Sequence, residues 1–304
     1  MTRAHPRPLG AMMLAVALLA LLALPAAGKS PQEILQEHAA QANTDPLGIK
    51  KLFTPKVAVA GDRIRVATYN IAHARGNKRG GINEIGNLRN LDGIAALLKA
   101  EKVDIVGCTE ISGVDFRSVL CDQPRFLAGR LGFKSVYGEN FRIALVGAAQ
   151  GNAIISRFPI LSHKNHKLYR LSEKEEQRGC LEALIDLGQG RKVRVFVAHL
   201  SLKAQESGRQ VQQILEMVKR RTEPCLLMGD LNSMPASSNI SAITALMTDL
   251  TANVDTTYMN EPGTKIDYIF LKGGFAPDGP AWVRGFKEGY SDHGCLITSL
   301  RLAD

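Results

Sequence analysis

Short apolar runs, most of them closing on a polar side chain, constrain this chain more than any other feature. They are IRVATYN (64–70), VDIVGCTE (103–110), GNAIISRF (151–158), CLEALIDL (180–187), KVRVFVAHL (192–200), PCLLMGDLN (224–232), KIDYIFLK (265–272) and GCLITSLRL (294–302). Their length and their Val, Ile and Leu content predict buried β-strands. Helical patterns lie between some of them: Asn90 to Lys99 and Gln205 to Arg220 repeat apolar residues every three to four positions. No repeat and no linker interrupts residues 63–304, so a single α/β domain is expected there. A chain of 304 residues, 45% hydrophobic and 22% charged, can bury a substantial core and is neither collagen-like, disulfide-scaffolded nor wholly disordered.

The polar residues at the strand ends carry the chemistry. IRVATY ends in Asn70, VDIVGCT in Glu110, VRVFVA in His199, and CLLMG in Asp230 with Asn232 two positions on. Lys265-Ile266 runs into Asp267, and Ser291-Asp292-His293 precedes the last strand. Strand ends converge in α/β folds, so these side chains are expected in one cleft. Taken singly, each is more often a turn, a cap or a hydrogen-bonded structural residue; jointly they would require independent coincidences. Asn70, Glu110 and Asp292 are hard oxygen donors suited to Mg²⁺ or Mn²⁺. The histidines near carboxylates suit contact with phosphoryl oxygens. No serine or cysteine stands in a nucleophile motif such as G-x-S-x-G. The inventory points to metal-assisted attack of water on an anionic centre.

In order along the chain, TYN (68–70), Glu110, GNAIISRFPI (151–160), HLS (199–201), GDLN (229–232), IDYIF (266–270) and SDH (291–293) resemble the DNase-I-like endonuclease/exonuclease/phosphatase superfamily. The resemblance spans about residues 63–302. It implies a four-layer αββα sandwich, an α/β fold with two mixed sheets packed face to face and helices outside. It also implies a Mg²⁺-dependent phosphoesterase (Mn²⁺ as the alternative ion), with Glu110 the principal metal carboxylate and Asn70 and Asp292 close by. Asp230 would orient or deprotonate the attacking water, and Asn232 would hold the phosphoryl group. His293, paired with Asp267, would contact one phosphoryl oxygen and His199 another; the Asp267–His293 pair is the rival assignment for the base. Arg178 in QRGCLEAL resembles an arginine placed near the phosphate in some members, with a surface strand residue as the alternative. Cys108 departs from the glutamine common two positions before the glutamate.

The N-terminus reads as an address. Arg3 and Arg7 precede an uncharged apolar run from Leu9 to Leu24, followed by Pro25 and small residues to Gly28. That order predicts a signal peptide over residues 1–28 and export. An uncleaved membrane anchor is the alternative, although the run falls short of the roughly 20 residues that a span needs. Residues 29–62 read as a lead-in segment, with a short helical pattern from Pro31 to Ala42. Five cysteines would then meet an oxidising compartment. Cys225 and Cys295 read as core positions, and no pair has zinc-ligand spacing. A net charge of +9 suits a polyanion, favouring nucleic acid as substrate over a lipid headgroup. Two segments bear on that choice: the basic, glycine-rich stretch from Arg75 to Arg89, read as a loop that could grip phosphates of a nucleic-acid backbone or else as a solvated loop, and the segment from Gly273 to Tyr290 with Trp282, Phe275 and Phe286, read as a loop that could touch a lipid interface. A non-catalytic binding protein on the same scaffold is the third reading.

Overall fold

A computed structural model describes residues 58–77, 85–143 and 148–302. The expected signal peptide, most of the lead-in segment and the middle of the basic stretch lie outside the described residues. Strand alternation builds the architecture. In β1 (Arg63–Asn70), Ile64 and Val66 point one way and Ala67 and Tyr69 the other. In β7 (Arg191–His199), Val193, Val195 and Val197 oppose Phe196 and Ala198. Both faces are apolar, so each sheet must be covered twice.

The first sheet runs β11-β13-β1-β2-β4-β3, with β12 also on β13, and the second runs β5-β6-β7-β8-β10-β9. The strands of the first are β1, β2 (Ile105–Ile111), β3 (Lys134–Ile143), β4 (Ala148–Ser156), β11 (Phe275–Pro277), β12 (Trp282–Arg284) and β13 (Cys295–Leu302). The second holds β5 (Ile160–Lys167), β6 (Gly179–Gly188), β7, β8 (Cys225–Asp230), β9 (Thr248–Asp249) and β10 (Asp267–Lys272). Both sheets are mixed: β1–β2 and β7–β8 are parallel, and the other pairs antiparallel. The seam between the sheets is a single cluster to which Val66, Ile105 and Leu296 contribute from one side and Val197, Met228 and Ile269 from the other. Each fully buried side chain of this kind stabilises by about 1.5–3 kcal/mol.

Helices close the outer faces. α1 (Leu88–Ala100) and α2 (Gln123–Leu131) share a core with the outer side of the first sheet. α3 (Ala204–Lys219) and α4 (Ser238–Thr244) do the same for the second. The result is the four-layer αββα sandwich. Local chemistry sets the helix ends: the side chains of Asn87, Asp122 and Ser237 accept backbone N–H bonds at the N-caps of α1, α2 and α4. At the other end of α3, Lys272 Nζ donates to the carbonyls of Val218 and Arg221.

Each apolar run from residue 64 onward is a strand, and the two helical patterns between those runs are helices; the run from Leu9 to Leu24 and the pattern from Pro31 to Ala42 lie outside the described residues. The elements not read from sequence include α2, α4, β3 and β5. β5 (ILSHKNHK) and β3 are edge strands, where half-exposure permits polar residues and weakens the apolar signal. No disulfide forms among the described residues; Cys108, Cys180, Cys225 and Cys295 are buried free thiols, and Cys108 packs in the core beneath α1 and α2. No described helix is long and apolar enough to cross a membrane.

Gly229 is the one place where the strand that delivers the site has no freedom of sequence. Its φ is +140°, and a Cβ there would lie 1.9 Å from the carbonyl oxygen of Ala198 on the neighbouring strand. Gly229→Ala is expected to destabilise the protein by at least about 2 kcal/mol, through backbone strain added to a steric clash. Urea unfolding monitored by circular dichroism checks this; an unchanged midpoint would contradict the backbone assignment.

Candidate active site

The alternation that buries aliphatic side chains in the seam also aims the polar strand ends. Asn70 follows Ile64, Val66 and Thr68 on the inner face of β1. His199 follows Val197 on β7, and Asp230 follows Met228 on β8. Asp267 opens β10 directly opposite Asp230 in the antiparallel register, and His199 pairs with Asp230 in the parallel one. His293 lies two residues before β13. The last layer of an apolar seam is therefore polar and almost wholly buried: Asn70, His199, Asp230, Asp267, Asp292 and His293 are each at most 4% exposed.

Asp230 Oδ2 is the point of convergence. Asn70 Nδ2 donates to it at 3.0 Å, while His199 Nε2 stands at 3.5 Å and His293 Nε2 at 3.7 Å. The other oxygen of Asp230 accepts the backbone N–H of Asn232 at 3.0 Å. Burial and the charge of Asp267 push the Asp230 carboxyl well above the ordinary carboxylate range, outweighing the stabilising His293, Asn70 and Asn232. His293 behaves oppositely. Burial disfavours its charged form, but the charge of Asp267, its 2.8 Å hydrogen bond to Nδ1, and the charges of Asp230 and Asp292 raise it to about 10. His293 is thus an imidazolium, while His199, buried and beside the positive charges of Arg178 and His293, is held neutral.

Glu110 arrives by a different device. A bulge shifts the β2–β4 register between Cys108 and Ile111, and Glu110 takes a φ of +47°. This frees its carboxylate from the alternation, and Oε1 accepts from Asn70 Nδ2 at 3.1 Å. Asn70 accordingly faces Glu110 and Asp230 with its amide hydrogens. Its oxygen accepts the backbone N–H of Ala72 at 3.0 Å, which fixes the amide orientation. In this arrangement Asn70 bridges the two carboxylates instead of offering its oxygen beside Glu110 as a metal ligand. Asp292, also expected as a ligand, is ion-paired through Oδ2 with Arg75 Nη2 at 2.9 Å, both side chains being buried.

Further expectations about neighbours need correcting. Arg75 is engaged in this ion pair, Asn87 caps α1 and Arg89 lies within it, while residues 78–84 of the basic stretch lie outside the described residues. Trp282 is not a lipid-facing loop residue. It sits on β12, its Nε1 donates to Glu101 Oε2 at 2.9 Å, and the Arg65 guanidinium lies 5.6 Å from its ring centroid. Arg178 is mostly buried, pairs with Glu176 at 3.5 Å and acts electrostatically on His199, which removes its reading as an exposed strand residue. Asn232 spends one amide hydrogen on the Leu200 carbonyl at 2.9 Å.

Sequence reasoning missed His73, Ser112 and Tyr258. His73 sits in a left-handed turn, with φ of 45°, 54° and 59° at Ala72, His73 and Ala74. Its Nδ1 is 3.0 Å from Ser112 Oγ and its Nε2 is 3.7 Å from Glu110 Oε2. Burial and the charges of Arg117 and Arg75 keep it neutral. The only signal was a histidine three residues beyond Asn70. Tyr258 packs against the His293 ring, centroids 5.1 Å apart, and lies on no apolar run.

The donor set fits a divalent cation in two respects. Glu110 holds a carboxylate beside a neutral imidazole nitrogen. Separately, Asp230, Asp267 and His293 bring ligand-type atoms within 4.8 Å of one another, and the buried Oδ1 of Asp267 has no hydrogen-bond partner among the described residues. In the second group His293 is already bonded to Asp267 and charged, which leaves Glu110 as the better anchor.

The model of the endonuclease/exonuclease/phosphatase family matches residues 67–293. Among solved structures, an endonuclease/exonuclease/phosphatase from Beutenbergia cavernae is 24% identical with a TM-score of 0.68, covering 80% of this chain and 72% of that one. The human Nocturnin catalytic domain with bound sulfate is 16% identical, with a TM-score of 0.62 and coverage of 81% and 96%. A mannosyl-6-phosphatase from Bacteroides thetaiotaomicron is 18% identical, with a TM-score of 0.61 and coverage of 78% and 99%. These likenesses speak for the fold alone. No curated protein matches the sequence.

Because the folded state raises the Asp230 carboxyl above its unfolded value, ionised Asp230 costs stability at high pH and nothing below about pH 3.8, where both states are neutral. Asp230→Asn is expected to raise the melting temperature at pH 8 in EDTA, with the gain shrinking toward pH 4. Melting curves across that range test it, and a lower melting temperature at pH 8 would contradict the desolvation argument.

Proposed function

Because the chain belongs to the endonuclease/exonuclease/phosphatase family, we propose that it is a divalent-metal-dependent phosphoesterase that hydrolyses phosphodiester bonds by in-line attack of water. The observation that carries this reading is the convergence of Asn70, His199 and His293 on Asp230 Oδ2, with Asp267 fixing His293. A carboxylate raised toward neutrality is matched to taking a proton from water. An imidazolium held by Asp267 directs its Nε2–H into the same space and suits a phosphoryl oxygen that gains charge in the transition state. That protonation supports Asp230 over the Asp267–His293 pair as base, since an imidazolium has no lone pair to accept a proton. Neutral His199 and the Asn232 amide are placed for further phosphoryl contacts, and Arg178 supplies positive potential behind His199. A divalent ion held by Glu110 would neutralise charge developing on the phosphoryl oxygens.

The excess of basic residues supports nucleic acid as the substrate. A second reading, an amphiphilic phosphoester such as a phospholipid, has its own observation. The loop following Glu110 and β2 exposes Val114, Phe116, Val119 and Leu120, each roughly half exposed or more. Asp115 holds that loop rigid, accepting the N–H groups of Ser118 and Ala149. Exposed apolar clusters of this kind mark contact surfaces. Export through the N-terminal segment belongs to the same proposal and would place the enzyme among extracellular or periplasmic phosphoesters.

Hydrolysis of bis-(p-nitrophenyl) phosphate, DNA, RNA and phospholipid vesicles with Mg²⁺, Mn²⁺ or EDTA tests the reading. EDTA should abolish turnover, and Asp230→Asn should lower kcat about 10³-fold. Near-normal activity of folded Asp230→Asn would overturn the mechanism; a steep loss of DNA cleavage toward about 0.2 M salt would favour nucleic acid, and hydrolysis that depends on lipid vesicles would favour the second substrate class. The pH profile of kcat/KM should fall toward about pH 10, where His293 loses its proton; an alkaline limb unchanged in His293→Gln would contradict that assignment.

A further inference from the structure

His73 has entered so far only as the neutral imidazole beside Glu110, yet its placement is over-determined. Three successive residues, Ala72, His73 and Ala74, adopt left-handed backbone angles, a conformation that costs free energy for each non-glycine residue. The turn is pinned at one end by Asn70 Oδ1, which accepts the Ala72 N–H, and at the other by the Ala74 carbonyl, which accepts from Asn87 N and Asn90 Nδ2. The carbonyl of His73 accepts from Gln123 Nε2 at 2.7 Å. The effect of this scaffold is to lay a buried imidazole against Glu110, whose own backbone is also left-handed.

Ser112 selects the tautomer. Its single hydroxyl hydrogen goes to the Ala149 carbonyl at 2.8 Å, so Ser112 Oγ meets His73 Nδ1 as an acceptor and Nδ1 carries the ring hydrogen. In the neutral ring, Nε2 then presents a lone pair to Glu110 Oε2 at 3.7 Å. His73 is buried and the Glu110 side chain is 26% exposed, and two acceptor atoms facing each other there repel unless a cation or a proton donor lies between them. A histidine with one nitrogen hydrogen-bonded to fix its tautomer and the other aimed beside a carboxylate has the arrangement of a metal ligand with its orienting partner.

We infer that His73 Nε2 is a direct ligand, together with Glu110, of the divalent ion in this site, with Ser112 as its positioning residue. The inference deepens the phosphoesterase reading and rests on it. A mixed nitrogen and carboxylate donor set favours Mn²⁺ over Mg²⁺, since imidazole is a poor partner for the harder, all-oxygen-seeking ion. Under this inference the site prefers Mn²⁺ to the Mg²⁺ that the resemblance implies.

The test is electron spin-echo spectroscopy of the full chain loaded with Mn²⁺, together with Mn²⁺ and Mg²⁺ affinities by calorimetry. Bound Mn²⁺ should show modulation from a directly coordinated ¹⁴N. His73→Asn, which keeps a residue tolerant of the left-handed turn, should remove that modulation and weaken Mn²⁺ at least tenfold while changing Mg²⁺ affinity less than threefold. Ser112→Ala leaves residue 73 in place and should weaken Mn²⁺ by an intermediate factor, on the scale known for partners that orient metal-bound histidines. Mn²⁺ bound in a Glu110-dependent way without nitrogen modulation would overturn the role of His73 and leave the phosphoesterase reading standing. Modulation that persists in His73→Asn would assign the nitrogen to another histidine and overturn it too. Mn²⁺ binding absent from the wild-type chain would overturn both.

Discussion

A carboxylate at the end of a dry seam is the costly element on which the rest of this site depends. Asp230 follows Leu226 and Met228 on the inner face of β8, so the strand that stabilises the sandwich also carries a charge out of water. Without compensation such a group would neutralise itself or disrupt the seam. Here the Asn70 amide, the Asn232 backbone N–H and the positive charge of His293 compensate it in part. The remaining penalty holds Asp230 near the boundary between acid and base, which suits the proposed role of taking a proton from water.

The compensation is distributed between the two sheets. Asn70 and His293 come from the first sheet or the approach to it, while Asp230, Asp267 and His199 come from the second. The site therefore exists only where the sheets meet, and its geometry is as rigid as their packing. Asn70 does most to join the halves, since its two amide hydrogens reach Glu110 on one side and Asp230 on the other. The buried Arg75–Asp292 pair and the Tyr258 ring hold the approach to β13, which keeps His293 in line with Asp267.

Several of the left-handed residues fall where the chain must deliver a side chain that strand alternation would misdirect. Glu110, Asn232 and the turn through His73 all lie within a few residues of a strand end and all carry positive φ. Gly229 turns β8 under the Ala198 carbonyl. Such strain persists because the sandwich on either side over-determines the backbone, so an apolar framework with little conformational choice supports a set of polar groups in strained positions.

Much of this was legible in the sequence. The length and β-rich content of the apolar runs identified the strands of the seam, the three-to-four spacing identified α1 and α3, and polar residues at the ends of apolar runs marked Asn70, Glu110, His199, Asp230, Asp267 and His293 as neighbours. These are local properties of a chain that must bury one face of each strand. The edge strands β3 and β5 were hidden because a half-exposed strand has no apolar obligation to display. The partner of Asp292, the donor role of Asn70 and the part played by His73 were hidden for another reason. Each depends on which atom of a side chain meets which atom of a residue distant in sequence, and Arg75 and Asp292 lie 217 positions apart. The sequence by itself determined the buried strands, the two longer helices and the company each site residue keeps, because burial is a property of pattern. Only the tertiary structure decided which oxygen is free, which nitrogen carries the hydrogen and which charge is neutralised, because those are settled by contacts a few ångströms long between parts of the chain that pattern does not connect.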